Sequence, residues 1–426
     1  MDDFELQLAF QAMSTVTTPL QALKIYEKYF NVLKEWRFIC AAGDDQGPFK
    51  LKNKVIDNVV GIRSIFKGQS LWVIDASMVE KEGTVPYLAG TGIYFDSNAA
   101  SYIYSLGYKD KFQPQLKNQL LRIQSLGIDY KNINPYLYLF ESRTHFDRRP
   151  ENIEFSRKTF AALTALSKIG GSLDESWREM YQKYFMDQCE ANIEPLFNEF
   201  IAKHESGAFN SLDHLFALTE LLLLETKILD ISSKKKNEDK LEDLIYFMDE
   251  KLQIMMLREL AICADILFRG NKTQLTTKLL KVNAGHPNSL GIVQGCAWDL
   301  FIFRVMDWFS NTSSELHTDF YISNLVSCDR DIWDIADLTM LKAIALHNRS
   351  FGHVIFPEHS PEDILATSLG KDKQEFPGDL FSYSSRQKRI GWIQREDRNQ
   401  VYATKSNEIQ GLLQEKRMKL LSIIRN

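Results

Sequence analysis

Four acids stand where a chain can put them to chemical use. Ile93-Tyr94-Phe95 is a strand-like apolar run ending on Asp96, and Ser97-Asn98 leads straight into Ala99 to Leu106, a run able to wind into a helix. An Asp at such a junction lies at the carboxyl end of a sheet, where open α/β folds bind ligands and metals. The pattern returns downstream. Ile133 to Phe140 is an apolar, strand-like stretch delivering Glu141, Ala297-Trp298-Asp299 opens the apolar helix Leu300 to Trp308, and Phe320 to Val326 ends on Ser327-Cys328-Asp329. Four carboxylates brought together repel one another and shift their pKa values, a cost that a divalent cation relieves. Hard cations such as Mg²⁺ or Mn²⁺ take oxygen ligands, one or two directly and others through water. Bound beside a phosphodiester, such an ion polarises the phosphate, activates water and stabilises the leaving oxygen.

In this order the four acids resemble the acidic quartet of the PIN-like nuclease superfamily. There an apolar strand followed by Asp, Ser/Thr, Asn and a helix supplies the first acid. An apolar run ending in Glu gives the second, an Asp heading a hydrophobic helix the third, and a strand ending Thr/Ser-x-Asp the fourth. The resemblance spans roughly residues 88–345 and rests on the order of the acids, since no single motif is specific. The second and third acids are 158 positions apart (299 − 141), so a large insertion is required. The resemblance implies an α/β fold, a PIN-like parallel sheet sandwiched by helices, with a large helical insertion and helical N- and C-terminal additions. It further implies a metal-dependent endonuclease, RNA preferred over DNA, of the kind used as a toxin or phage-defence effector and held by an inhibitory or antitoxin protein. Asp96, Asp299 and Asp329 would hold Mg²⁺ or Mn²⁺, with Glu141 completing the cup. Ser97, Asn98 and Ser327 would hydrogen-bond the carboxylates or the scissile phosphate.

Simpler readings stand beside these. Asp96 and Asp299 can each be a helix N-cap. Asp331 competes with Asp329 for the fourth place, and Glu220 or Glu225, flanking Leu221 to Leu224, for the second. Asp75, after Leu71-Trp72-Val73-Ile74, rivals Asp96, but Gly83, Pro86, Gly90 and Gly92 follow it closely, whereas neither Gly nor Pro follows Asp96 until Gly107. Arg143 heads a basic stretch with Arg148, Arg149, Arg157 and Lys158. Guanidinium forks suit phosphates, and the same residues suit a solvated helix face paired with Glu151 and Glu154. A structure-specific DNA nuclease of the same fold and a non-catalytic helical interaction protein remain the alternative functions. No Gly-x-Ser-x-Gly elbow, Walker loop or Gly-x-Gly-x-x-Gly is present, so those chemistries have no support.

The bulk properties fit a globular chain of 426 residues, 44% hydrophobic, with a net charge of −5. Five scattered cysteines without a Cys-x-x-Cys pair suit reduced thiols and a cytoplasmic location. From Arg386 onward ten Lys/Arg face four Asp/Glu, so a basic tail follows an acidic body. Such a tail attracts a nucleic-acid backbone or forms a solvated terminal helix.

The elements divide the chain into an extension (1–87), a first core part (88–150), a helical insertion (151–281), a second core part (282–350) and the basic tail region (351–426). Thr18-Pro19 reads as an N-cap with Pro at the first helical position. Helical periodicity fills the insertion. Ile335 to Leu346 reads as one more apolar helix, and 407–424 as a terminal one.

Overall fold

The computed structural model describes residues 3–42, 47–80, 85–148, 150–270, 273–283, 286, 288–310, 318–348, 353–359, 380, 382–390 and 397–425. Nine strands are described: β1 (Trp36–Ala42), β2 (Phe49–Lys50), β3 (Lys54–Ile56), β4 (Val60–Ser64), β5 (Ser70–Ile74), β6 (Ala89–Phe95), β7 (Phe320–Ser327), β8 (Leu341–His347) and β9 (His353–Pro357). The helices that bear on the site are α1 (Asp3–Ser14), α2 (Pro19–Lys28), α3 (Ser97–Tyr108), α4 (Tyr136–Ser142), α5 (Pro150–Ile169), α6 (Asn210–Ser232), α7 (Leu257–Leu267), α8 (Gln274–Leu280), α9 (Ser289–Ser310), α10 (Arg330–Thr339) and α11 (Arg398–Arg425).

The fold is mixed α/β and mostly helical, with two sheets. Among the described residues the expected parallel sheet is present only as one strand pair. In the sheet β3-β4-β7-β6, β6 and β7 run parallel while β3–β4 and β4–β7 are antiparallel. The second sheet, β2-β5-β1-β8-β9, is antiparallel throughout. Residues 1–87 supply strands to both sheets. Leu341 joins the two, donating its N–H to Ile65 O at 3.0 Å.

Ile335 to Leu346 is not one helix. α10 stops at Thr339, and Leu341–His347 becomes β8 because it finds β1 on one side and β9 on the other. An apolar run of that length reads alike as helix or buried strand until its pairing partners are known. At the N-terminus, Thr18 caps α2 as expected, accepting from Gln21 N–H at 3.3 Å with Pro19 next to it. α1 and α2 bury Ala9, Met13, Ala22 and Tyr26 against Phe38 and Trp72 of the antiparallel sheet.

The mixed sheet lies within the larger core, which the helices from α5 to α8 share. β7 is buried at every position. Tyr321 lies over β6 where Gly90 and Gly92 have no side chain; a Cβ on Gly92 would stand 2.5 Å from the Tyr321 hydroxyl. α9 packs on this sheet through Phe309, whose ring stacks on Tyr94 at 4.4 Å between centroids, and through Ser310 Oγ, 3.1 Å from Ser323 Oγ. Two ion pairs fix α9 to α7: Arg258 with Asp307 at 3.0 Å and Arg304 with Glu259 at 2.5 Å. Among the described residues α9 is also the one helix long and apolar enough to cross a membrane, and most of it is buried in the protein.

The basic tail forms α11, which covers α6. Arg417 pairs with Glu220 (2.6 Å) and Lys416 with Glu225 (2.5 Å). Both alternative second acids are thus committed to a helix–helix contact.

Candidate metal and phosphate site

The parallel register begins the site. Phe95 pairs with Val326, and Asp96 N–H donates to Val326 O at 3.1 Å, so Asp96 and Ser327 leave the sheet side by side. Asp96 is buried at 4% exposure and caps α3, accepting from Ala99 N–H at 2.7 Å. Ser327 Oγ donates to the other Asp96 oxygen and accepts the Asp329 N–H at 2.9 Å. Asp329 in turn caps α10, accepting from Asp331 N–H at 2.9 Å, while Asn98 Nδ2 approaches its second oxygen at 3.4 Å.

Glu141 arrives by a different route from the one expected. It sits on helix α4, not at the end of a strand. Only Ile133 bridges to Ile93, with Asn134 N–H donating to Ile93 O at 2.8 Å. The Asn134 side chain then accepts from Tyr136 N–H at 3.0 Å and turns the chain into α4. Glu141 accepts two bonds from Ser97, from its N–H (2.9 Å) and its hydroxyl (2.6 Å). The indole N–H of Trp298, buried at 8% exposure, lies beside this carboxylate without meeting hydrogen-bond geometry.

Asp299 does not head its helix. It lies mid-way along α9, which starts ten residues earlier (299 − 289). Phe309 anchors α9 over Tyr94, and Asp299 stands about 15 Å back along the axis at 1.5 Å per residue, beyond the carboxyl ends of β6 and β7. Among the described residues no protein donor hydrogen-bonds its carboxylate. Ile292, Gly295, Cys296 and Asp299 recur on one face of α9 and line an open pocket of about 310 Å³. Asp329, Lys278, Lys281 and His286 complete its walls.

Charge crowding sets the protonation behaviour. Burial, and then the charges of Glu141 and Asp329, push the Asp96 carboxyl up to about 8 against the pull of Ser327 and the Ala99 N–H. Burial raises Glu141 as well, opposed by both Ser97 bonds. Asp299 is pushed well above the ordinary carboxylate range by burial, then by Asp329, Glu141 and Asp331, with Lys278 pulling the other way. All four acids therefore sit in one electrostatic neighbourhood. Asp331, the competitor for the fourth place, is buried behind the pocket and ion-paired to Lys278.

Arg143 is not turned toward a phosphate. Its side chain, 3% exposed, pairs with Asp213 at 2.5 Å and lies over the rings of Phe140 and Phe209. Arg157 and Lys158 pair with Glu154 on the same helix, so the helix-face reading of the basic stretch holds for them; Arg149 lies outside the described residues. Asp75, the rival first acid, is saturated by Arg37, Ser77 and Tyr87. The site residues that sequence reasoning missed are Lys278, Lys281 and His286. They belong to a helix end and a loop, and no spacing motif marks them.

Comparison with protein-family models, with curated proteins and with solved structures returns no match for this chain. Among the described residues no three His, Cys, Asp or Glu side chains are placed to hold a metal ion together. The donor set is nonetheless all oxygen at its centre: an Asp without a protein donor, faced by a second Asp and crowded by two further acids. That composition suits a hard cation bound by one or two carboxylates and several waters.

Proposed function

We propose that this chain is a Mg²⁺- or Mn²⁺-dependent phosphodiesterase acting on nucleic acid, RNA before DNA, with the catalytic core of a helix-embellished PIN-like nuclease. The observation that carries this reading is Asp299: a carboxylate on an apolar core helix, without a hydrogen-bond donor among the described residues, lining a pocket and crowded by Asp329 and Glu141. Asp299 is half-buried at the wall of an open pocket, where its surroundings and the charges of Asp329 and Glu141 still make its ionised form costly. A cation accepted at that point offsets the cost.

Asp299 and Asp329 line the pocket and are the candidates for direct ligation. Asp96 and Glu141, each already holding two protein donors, act from behind through water. A cation bound there would supply Lewis-acid polarisation of a phosphate. The site carboxylates orient a water for attack on phosphorus. Its oxygen forms the new P–O bond, the bond to the leaving oxygen breaks, one water proton ends on that leaving oxygen and the other on a site carboxylate or solvent. Ser97 and Ser327 hold Glu141 and Asp96 in place, and such supporting bonds tune a site strongly.

The test is cleavage of end-labelled single-stranded RNA, single-stranded DNA and branched duplexes by the full-length chain with Mg²⁺, Mn²⁺ or EDTA. We expect metal-dependent cleavage, abolished by EDTA and reduced at least about 100-fold in Asp299→Asn. Cleavage that survives EDTA, or an Asp299→Asn protein as active as the native one, removes this function. Preference for branched DNA would redirect the substrate and leave the chemistry in place.

A further inference from the structure

The pocket has walls of opposite charge. Asp299 and Asp329 line it together with Lys278, Lys281 and His286. Lys278 belongs to α8, and that helix is held firmly. Thr273 caps it, accepting from Thr276 N–H at 3.0 Å, the Thr276 hydroxyl donates to Asp265 of α7, and Gln274 N–H reaches Asp334 of α10 at 3.3 Å. Lys278 is therefore mounted on a held helix.

Lysines on a helix near the surface are ordinarily solvated and explain nothing. Lys278 differs. Its ammonium pairs with Asp331, whose side chain is 1% exposed, and it also lies within the fields of Asp299 and Asp329. It occupies the position of a tethered cation among acids. Lys281 is exposed and lines the same cavity. His286 Nδ1 accepts the Asn288 N–H at 3.4 Å, which leaves Nε2 as the proton-bearing nitrogen of the neutral ring, a donor. A pocket built only for a bare cation has no use for three cationic or donor groups facing its acids. A pocket that takes a cation together with an anion does.

We propose that Lys278, Lys281 and His286 are the anion-binding wall of this pocket and take the non-bridging oxygens of a backbone phosphate, with Lys278 leaving Asp331 to do so. The proposal deepens the phosphodiesterase reading and rests on it for the identity of the anion. Without a divalent ion, Lys278 partly neutralises the acids. Once an ion takes over that charge, the ammonium is released to the phosphate, so cation and phosphate bind cooperatively.

The experiment uses the full-length chain and reads binding separately from cleavage. Mn²⁺ affinity is measured by electron paramagnetic resonance of the free ion. Inorganic phosphate is titrated by phosphorus NMR line broadening in saturating Mg²⁺. Lys281→Ala and His286→Ala should each weaken phosphate by about tenfold, the loss of one charge-assisted bond, and leave Mn²⁺ affinity unchanged. Lys278→Met should weaken phosphate and tighten Mn²⁺. Because Lys278→Met strands the buried Asp331, the two other variants carry the test should it fail to fold. Phosphate affinity within about twofold of native in Lys281→Ala and His286→Ala overturns the wall. Should native protein bind no Mn²⁺ while Lys281→Ala still loses phosphate, the wall stands and the metal chemistry falls.

Discussion

Ser327 donates its hydroxyl to Asp96 across the carboxyl ends of the parallel strands β6 and β7, and the same oxygen accepts the backbone N–H of Asp329. One side chain thereby couples the first and fourth acids. It also stabilises the charged form of Asp96, which burial and neighbouring charge oppose. Ser327→Ala should raise the Asp96 pKa further and release Asp329 from its position. We expect cleavage at neutral pH to fall by about tenfold or more, for a stability cost of about 1–2 kcal/mol. Ser327→Thr, which keeps the hydroxyl, should restore part of the activity, and the measurement is the pH–rate profile of both variants. An acid limb unmoved in Ser327→Ala would deny the coupling.

How much of this was legible before the fold is best judged residue by residue. The Asp96 junction was readable because an apolar run, an acid and an uninterrupted helix follow one another locally. Ser327 and Asp329 were readable for the same reason. Glu141 was identified as a residue but placed on a strand, since Tyr136 to Phe140 is almost wholly buried and a run buried on all sides shows no period. In the sequence Asp299 opens the apolar run Leu300 to Trp308, yet α9 begins ten residues before it, at Ser289 (299 − 289). β4, the antiparallel partner of β7, lies 266 positions away at Gly61 and Ser327 (327 − 61), and β1, one of the two partners of β8, lies 303 away at Cys40 and Ala343 (343 − 40), beyond the reach of any local pattern. Lys278, Lys281 and His286 gain their meaning only from the acids they face.

The pH dependence of stability follows from Asp96. Its carboxyl, faced by Glu141, Asp329, the Ser327 hydroxyl and the Ala99 N–H, titrates at about 8 in the folded chain against 3.8 in the reference state. Between those values the folded protein binds more protons than the unfolded one. Stability is therefore full below about pH 4 for this group and is lost as pH rises through about 8. Thermal unfolding of metal-free protein should give a Tm that declines between about pH 6 and pH 8.5, and Asp96→Asn should flatten that slope while raising Tm at the upper end. Mg²⁺ should restore Tm more at high pH than at low pH. Equal slopes for native and Asp96→Asn proteins would place the titration elsewhere.

The basic tail is assigned a structural task by its contacts. Arg417 holds the fully buried Glu220 in a two-pronged pair, with distances of 2.6 and 2.7 Å. Removing one partner of a buried pair costs about 3–5 kcal/mol, because the other charge is stranded. Arg417→Ala should therefore lower the urea midpoint substantially, and Glu220→Gln in the same chain should recover part of the loss. Cleavage per folded molecule should stay near native. A protein of native stability whose nucleic-acid affinity has dropped would instead make Arg417 a backbone contact.

Two glycines separate folding from occupancy of the pocket. Gly92 lies on β6 beneath Tyr321, where a Cβ would fall 2.5 Å from the hydroxyl and 2.8 Å from the Tyr94 ring. Both rings are packed, so Gly92→Ala should destabilise through overpacking by about 1–3 kcal/mol and disturb the strand that delivers Asp96. Gly295 is the opposite case: it lies within α9 and a Cβ there meets nothing within 4 Å. Gly295→Ala should stabilise the helix by up to about 1 kcal/mol, with activity retained. Gly295→Phe directs a ring into the cavity that Asp299 and Lys278 share. It should keep the native unfolding midpoint and raise KM for RNA sharply, because the space closed is the space a phosphate needs. A Gly295→Phe protein with native KM would mean that substrate never enters by this face of α9.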